Sequence, residues 1–575
     1  MAEDATDPGD SARASYHGHR RRWWKEAVVY HIWPRSFMDA DGDGIGDLRG
    51  IIQRLDHVAA LGVDALWISP HYDSPNVDNG YDVRDYRAVM AEFGTMADFG
   101  ELVAAAKARG LRLLVDLVAN HSSDEHAWFV ESRRSKESPY RDYYIWQPGR
   151  DGGPPNDWRS FFGGSAWSWD DATAEYYLHL FAPKQPDLNW ENPAVRREIY
   201  EIMRFWLDKG VDGFRMDVIP FISKDPSFAD YPPERRAQPH YHHAAGPRLH
   251  TFLQEMHREV LGPYGAVSIG EALGVTPEQA ALLVDERRGE LDMLIHFDAL
   301  LVDRGEGWRW RPWTLPDLKA VFTRLEAALD HHCWRTVCLS NHDMPRLVSH
   351  FGDDAPAWRV RSAQVLATML LTVKGTPLVY QGDEIGMTNY PFGDIAEFED
   401  VEALGAWRVS VEEGDVPPEE FLAHMRRTSR DNARTPVQWD DGPNGGFTTA
   451  PPWFVVNPNA AEVNARADRA APDSVFRHYA AVIALRKQAL ALIYGDFTDL
   501  DPAHPRLFVY SRRAGDDGYL IVLNLSRDEV DYELPETARP GAFVLGNLAP
   551  PADDGGRLTL APWEARIYRL AGVAG

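Results

Sequence analysis

Cysteine, positive charge and long apolar runs are all scarce in this chain, and each scarcity excludes something. The two cysteines among 575 residues, Cys333 and Cys338, cannot build a disulfide framework. They lie in a tryptophan-flanked apolar stretch and read as buried free thiols, which suits a reducing cytoplasm. No run approaches the ~20 consecutive apolar residues of a membrane-spanning helix. The opening MAEDATDPGD is acidic where a secretory leader needs basic residues and then an apolar run, so no export signal is expected. With 60 Lys and Arg against 87 Asp and Glu, the formal charge of -27 repels phosphate backbones and anionic lipid. A neutral ligand such as a sugar meets that condition, and neither nucleic acid nor membrane is an expected partner.

From Ala27 onward, short apolar runs alternate with stretches of helical periodicity, as repeated βα units do. Eight runs read as strands, beginning at Ala27, Ala65, Leu111, Val211, Ala266, Asp292, Arg335 and Pro377. Because they are continuously apolar, a closed parallel barrel is expected rather than a sandwich. Val195, Ile199, Ile202 and Trp206 form the stripe of one covering helix, with Pro193 at its start and Gly210 past its end. Leu249, Phe252, Leu253 and Met256 form another, ending near Gly262. Residues 1–22, ending in HGHRRR, read as a mobile terminus. Residues 23–121 and 193–495 form the expected (β/α)8 barrel, and 122–192, rich in Trp, Tyr, Gly and Pro, an inserted domain after the third strand. A second insertion, from about Ile385 to Gly446, follows the last strand on the same rim. Residues 496–575 show the alternation of an antiparallel β-sandwich.

In such a barrel the active face lies at the carboxyl ends of the strands. Polar residues stand there as Asn120-His121, Arg215 and Asp217, Glu271, and His342-Asp343. Singly, each is as well explained by a helix cap or a satisfied core histidine. Together, three carboxylates, two histidines and an arginine on one rim are costly unless the charges are used.

The runs DLVANH, GFRMDVI, IGEA and SNHD, in that order, resemble the four signature regions of the α-amylase family of glycoside hydrolases. VVYHIWPRSFMDADGDGIGDLRGI, HLFAPKQPDLNWENP, YQGDEIGMTNYPF and RDNARTPVQWD resemble its oligo-1,6-glucosidase and isomaltase branch. The resemblance implies an exo-acting, retaining α-glucosidase acting on short oligosaccharides, without an organic cofactor, as a monomer or homodimer. It implies Asp217 as nucleophile, Glu271 as general acid/base with a raised pKa, and Asp343 as the third acid. Arg215 would keep Asp217 ionised, and His121 and His342 would bond the same sugar. Asp78 and Tyr81 of DNGYD, Phe181, Gln185 and Arg430 would line a closed pocket for one terminal glucose. Arg434 shares the Arg430 motif. Val218 accompanies α-1,6 preference in relatives. Pro220, Ala272, Ser340 and Asp383 depart from the usual Asn, Met, Asn and Glu.

The loop from Asp39 to Asp47 places oxygens at alternate positions, as a hard-cation site requires, though Gly50 stands where an EF-hand carries its last Glu. Asp39, Asp41, Asp43, the Ile45 carbonyl and Asp47 are the expected ligands of a structural Ca²⁺ or Mg²⁺. The rival activities are an α-1,4-preferring glucosidase, and a sucrose isomerase or glucosyltransferase, which SHFGDD and GMTNYPF also resemble. A noncatalytic relative of the transporter-subunit kind is disfavoured by the full set of acids.

Overall fold

Each of the eight apolar runs becomes one parallel strand of the computed structural model, which describes residues 15–305, 308–549 and 557–570. The strands are β1 (Val29–Ile32), β2 (Ala65–Ile68), β3 (Arg112–Val118), β4 (Gly213–Asp217), β5 (Val267–Ala272), β6 (Met293–His296), β7 (Thr336–Cys338) and β8 (Thr376–Tyr380). They pair in the order β6-β5-β4-β3-β2-β1-β8-β7. Thr336 Oγ1 spans the seam between the two ends by donating to the Leu294 carbonyl at 2.9 Å.

Side chains alternate across a strand, so every second residue points into the barrel. Val29, Ala65, Leu114, Val267, Ile269, Met293 and Leu378 make an apolar floor with Trp24 and Trp67. Tyr30, Leu66, Val115, Phe214 and Met216 belong to the larger core outside it. Following the inward parity to the carboxyl ends reaches His31, Asp116, Arg215, Asp217 and Glu271 in place of apolar residues. The barrel is dry below and charged above.

The helix Pro193–Asp208 forms as its sequence predicts: Asn192 accepts the Ala194 N–H at 2.9 Å, Pro193 fills the first turn, and Gly210 takes a positive φ of 100°. Leu249–Met256 runs on through His257–Leu261 and Gly262–Tyr264, past the expected end at Gly262. The chain before Trp23 also differs from expectation. Tyr16 and His19 exchange backbone hydrogen bonds, and His19, 2% exposed, sits edge-on to Trp334 at 5.3 Å. Residues 1–14 of the expected mobile terminus lie outside the described residues.

Between β3 and Pro193 the chain forms three short antiparallel strands, Trp146–Gln147, Trp167–Asp170 and Glu175–Leu178. After β8, Phe392, Phe398, Phe421, Leu422, Met425 and Phe454 build a separate small core. From Asp496 onward a five-stranded antiparallel sheet and a two-stranded one face each other across Leu507, Val509, Leu520, Val522, Tyr532 and Leu558. The outer face of the larger sheet, Phe508, Tyr510, Ile521, Leu523 and Ile567, merges with the barrel's core. No helix among the described residues is long and apolar enough to cross a membrane.

Candidate active site

Strands β3, β4 and β5 bring four charged groups together at their ends. Arg215 is 1% exposed; its Nη1 donates to Asp217 Oδ1 at 2.9 Å and also to Asp116 Oδ1. Its Nη2 lies 2.6 Å from Glu271 Oε2. One guanidinium therefore serves three buried carboxylates. Burial, and then the Glu271 charge, push the Asp217 carboxyl well above the usual range, against the pull of Arg215. Glu271 is also near enough to share a hydrogen bond with Asp217. This runs against the expectation that Arg215 keeps Asp217 ionised: its charge is shared among three carboxylates, and burial with the Glu271 charge outweighs its pull on Asp217. Asp116 was not singled out in the sequence, although a carboxylate inside the run LRLLVDLV is signal enough.

A second network surrounds Asp343. Its Oδ1 lies 3.3 Å from Arg430 Nη1 and 3.1 Å from Arg434 Nη2, and its Oδ2 lies 3.0 Å from His342 Nε2. Burial opposes ionisation, but His342, Arg430 and Arg434 hold the Asp343 carboxyl well below its usual range. Both arginines also meet the fully buried Asp400, at 2.5 Å from Arg430 and 3.3 Å from Arg434. Asp400 sits in the second insertion, where no periodicity marked it. Arg434 is 1% exposed and braces Asp343 from behind.

A third cluster gathers Asp78, Gln185, His121 and Arg430. Gln185 Nε2 donates to Asp78 Oδ2 at 3.0 Å, while its Oε1 accepts the Ala182 N–H at 3.0 Å. Gln185 is thus fully buried and committed to holding Asp78, a layer behind the surface it was expected to line. Arg430 Nη2 reaches Asp78 Oδ1 at 3.4 Å. Burial carries the Asp78 carboxyl up to about 7 despite Arg430 and Arg434. The Tyr81 ring stacks on His342 with centroids 5.2 Å apart, which puts His342 beneath the platform. Phe181 packs against His121 at 5.2 Å. Asp78, Tyr81, His121, Phe181, Asp217, Val218, Glu271, Asp343 and Arg430 line one cleft of ≈ 1950 Å³, to which both insertions contribute, through residues 159–164 and through Glu402, Gly405 and Val409. The cleft is far larger than one sugar, and the residues expected around a single glucose line only part of it.

Two of the departures from the family pattern meet. Ser340 Oγ donates to Asp383 Oδ2, so the two shortened side chains still touch. Pro220 lies in the tight turn Ile219–Ile222 directly after Val218.

With this geometry in view, the comparisons are decisive. Residues 31–495 match the alpha amylase catalytic domain, and residues 497–567 the maltogenic amylase C-terminal domain. The chain belongs to the α-amylase family of glycoside hydrolases. The oligo-1,6-glucosidase of Parageobacillus thermoglucosidasius is 50% identical to this hydrolase over 96% of the chain and 99% of the relative. Two solved structures each superpose on this hydrolase with a TM-score of 0.94. The isomaltulose synthase SmuA of Protaminobacter rubrum, 47% identical, aligns over 96% of this chain and 100% of its own. The trehalulose synthase MutB of Pseudomonas mesoacidophila, 48% identical, covers the same shares.

Away from the cleft, the carboxylates of Asp39, Asp41 and Asp43 lie within 4.8 Å of one another, Asp39 buried and the others exposed. Asp39 accepts N–H groups from Gly42 at 2.7 Å and Gly44 at 2.9 Å. Asp47 does not join this cluster: its two oxygens accept the Gly50 and Ala40 N–H groups, both at 2.7 Å, and it caps the helix Leu48–Ala60. These backbone N–H dipoles partly offset the mutual repulsion of the clustered carboxylates. The all-oxygen donor set suits a hard cation.

Proposed function

We propose that this hydrolase is an exo-acting, retaining α-glucosidase that removes terminal glucose from short oligosaccharides. The carrying observation is that Asp217 and Glu271 contact the same guanidinium and line the same cleft as Asp343 and Arg430. Retention needs carboxyls about 5–5.5 Å apart, one to attack C1 and one to protonate the leaving oxygen. It also needs one charge and one proton between the two acids. Asp343, held ionised, would take the sugar's hydroxyls and favour the oxocarbenium-like transition state. Tyr81 would lie under the ring, with Asp78, His121 and Arg430 pinning the far hydroxyls. A sugar pinned at that end would leave room for chain termini only. Glucose release from 4-nitrophenyl α-glucoside, with the α-anomer appearing first by NMR, tests this; the β-anomer first, or no release, refutes it.

Val218 supports a preference for α-1,6 bonds, because its branched side chain stiffens the wall beside the leaving sugar. Isomaltose is expected to exceed maltose in kcat/KM by roughly 10- to 200-fold, the scale of one methylene contact. A disaccharide panel that also holds sucrose and trehalose checks this. The likeness to isomaltulose and trehalulose synthases supports a second reading, in which a sugar hydroxyl intercepts the glucosyl-enzyme. In that case, sucrose yields an isomeric disaccharide instead of free hexoses.

The acidic loop is proposed to hold Ca²⁺ or Mg²⁺ through Asp39, Asp41 and Asp43, with the Ile45 carbonyl as a further ligand and Asp47 left to cap the helix. The ion would brace the loop and take no part in bond cleavage. Metal at a hundredfold excess over Kd should add about 2.7 kcal/mol of stability. Chelation should lower Tm and leave initial rates unchanged; an unmoved Tm with no metal by elemental analysis ends the proposal.

A further inference from the structure

Val218 is the one β-branched residue with positive φ among the described residues, at φ 34° and ψ 39°. A branched side chain is an outlier there, and such strain persists only where the surroundings enforce it. The enforcement is visible. The Val218 carbonyl accepts the Phe221 N–H at 2.9 Å, and Pro220 stiffens the turn Ile219–Ile222. Gly270 lets that turn lie close to β5, since a Cβ there would stand 3.1 Å from Ile219 Cγ2 and 2.6 Å from Leu291 Cδ1. The strained conformation aims the Val218 N–H at Glu271 Oε2, 3.0 Å away.

That oxygen therefore takes two contacts, the Val218 amide and Arg215 Nη2. No N–H of the described residues reaches Glu271 Oε1 within hydrogen-bonding distance. A proton on Oε2 would have to displace one of two fixed donors. We infer that the strained Val218 amide is a positioning group that reserves Glu271 Oε2 as a permanent acceptor, so that Oε1 alone carries the catalytic proton. The inference rests on the glucosidase reading above. In the first step, the Oε1 proton passes to the glycosidic oxygen as the C1–O bond breaks, while an Asp217 oxygen bonds C1. Glu271 is left as a carboxylate. In the second, water gives a proton to Oε1 as its oxygen bonds C1 and the Asp217–C1 bond breaks.

The test replaces Val218 by its α-hydroxy acid, which exchanges the N–H for an oxygen and keeps the side chain. Removing an acid's orientation hurts leaving groups that need protonation and spares those that do not. The ester protein should lose on the order of tenfold or more in kcat/KM on isomaltose, and less than about twofold on 4-nitrophenyl α-glucoside. Equal losses on both substrates in the ester protein, or none, overturn the inference. Wild-type turnover of the two substrates tests the glucosidase reading separately. Should the ester protein fail to fold, neutron diffraction on the Asp217→Asn protein with bound isomaltose decides. A deuteron on Glu271 Oε1 supports the inference; one on Oε2, or on neither oxygen, overturns it.

Discussion

Asp217→Asn is expected to reduce kcat on any α-glucoside by on the order of 10⁴- to 10⁶-fold, the scale seen when a covalent nucleophile is removed. An amide oxygen cannot form the ester to C1, and Glu271 protonating the leaving group does not replace that bond. The same variant should melt no lower than the native protein, and higher at neutral pH. Folding drives the Asp217 carboxyl's affinity for protons up, chiefly by burial and then by Glu271. The folded state therefore binds more protons than the unfolded one above the ordinary carboxyl range, and stability declines as pH rises through that window. Asparagine has no such penalty, and Arg215 keeps Asp116 and Glu271 as partners. A loss of Tm that grows toward neutral pH would contradict this account of the pair. Activity gained at the cost of stability is the usual bargain of such sites.

Glu271→Gln is expected to lower kcat/KM on isomaltose by about 10²- to 10⁴-fold, the range of general acid catalysis. The loss on 4-nitrophenyl α-glucoside should be much smaller in the glucosylation step, because a nitrophenolate leaves without a proton. Deglucosylation still needs a base, so glucosyl-enzyme should accumulate and show as a burst of nitrophenol. Stopped-flow absorbance with mass spectrometry of the trapped protein reads both. Equal losses on the two substrates, with no burst, would remove Glu271 from its role.

The barrel was legible because its strands are short, wholly apolar and separated by helical stripes; all eight runs became strands. The acids at the strand ends were legible because charge beside an apolar run has few structural excuses. Other features were hidden for physical reasons. Asp400 depends on a contact of 2.5 Å with Arg430, thirty positions later, in a segment without periodicity. Gln185 carries no mark that says it holds Asp78 and does not face sugar. Asp47 satisfies two descriptions at once, cation ligand and helix cap, and spacing alone cannot choose between them. The segment before Trp23 is polar in composition, yet His19 is buried because Trp334 and Tyr494 offer it aromatic faces. The strain at Val218 belongs to backbone geometry, which no residue type announces.

The five-stranded sheet at the end of the chain has apolar residues on both of its faces, one against the small sheet and one against the barrel. Its Arg512, fully buried, donates to the Thr372, Leu492, Ile493 and Gly495 carbonyls. A truncation before Asp496 would not release an autonomous catalyst. It would take the Arg512 donor from four carbonyls, of which Leu492 keeps Arg486 Nη1 at 3.2 Å, and would bare an oily flank of the barrel. The terminal module is best regarded as a wall of the barrel that happens to be encoded last, and protein engineers should graft or trim it only together with the helices that it seals.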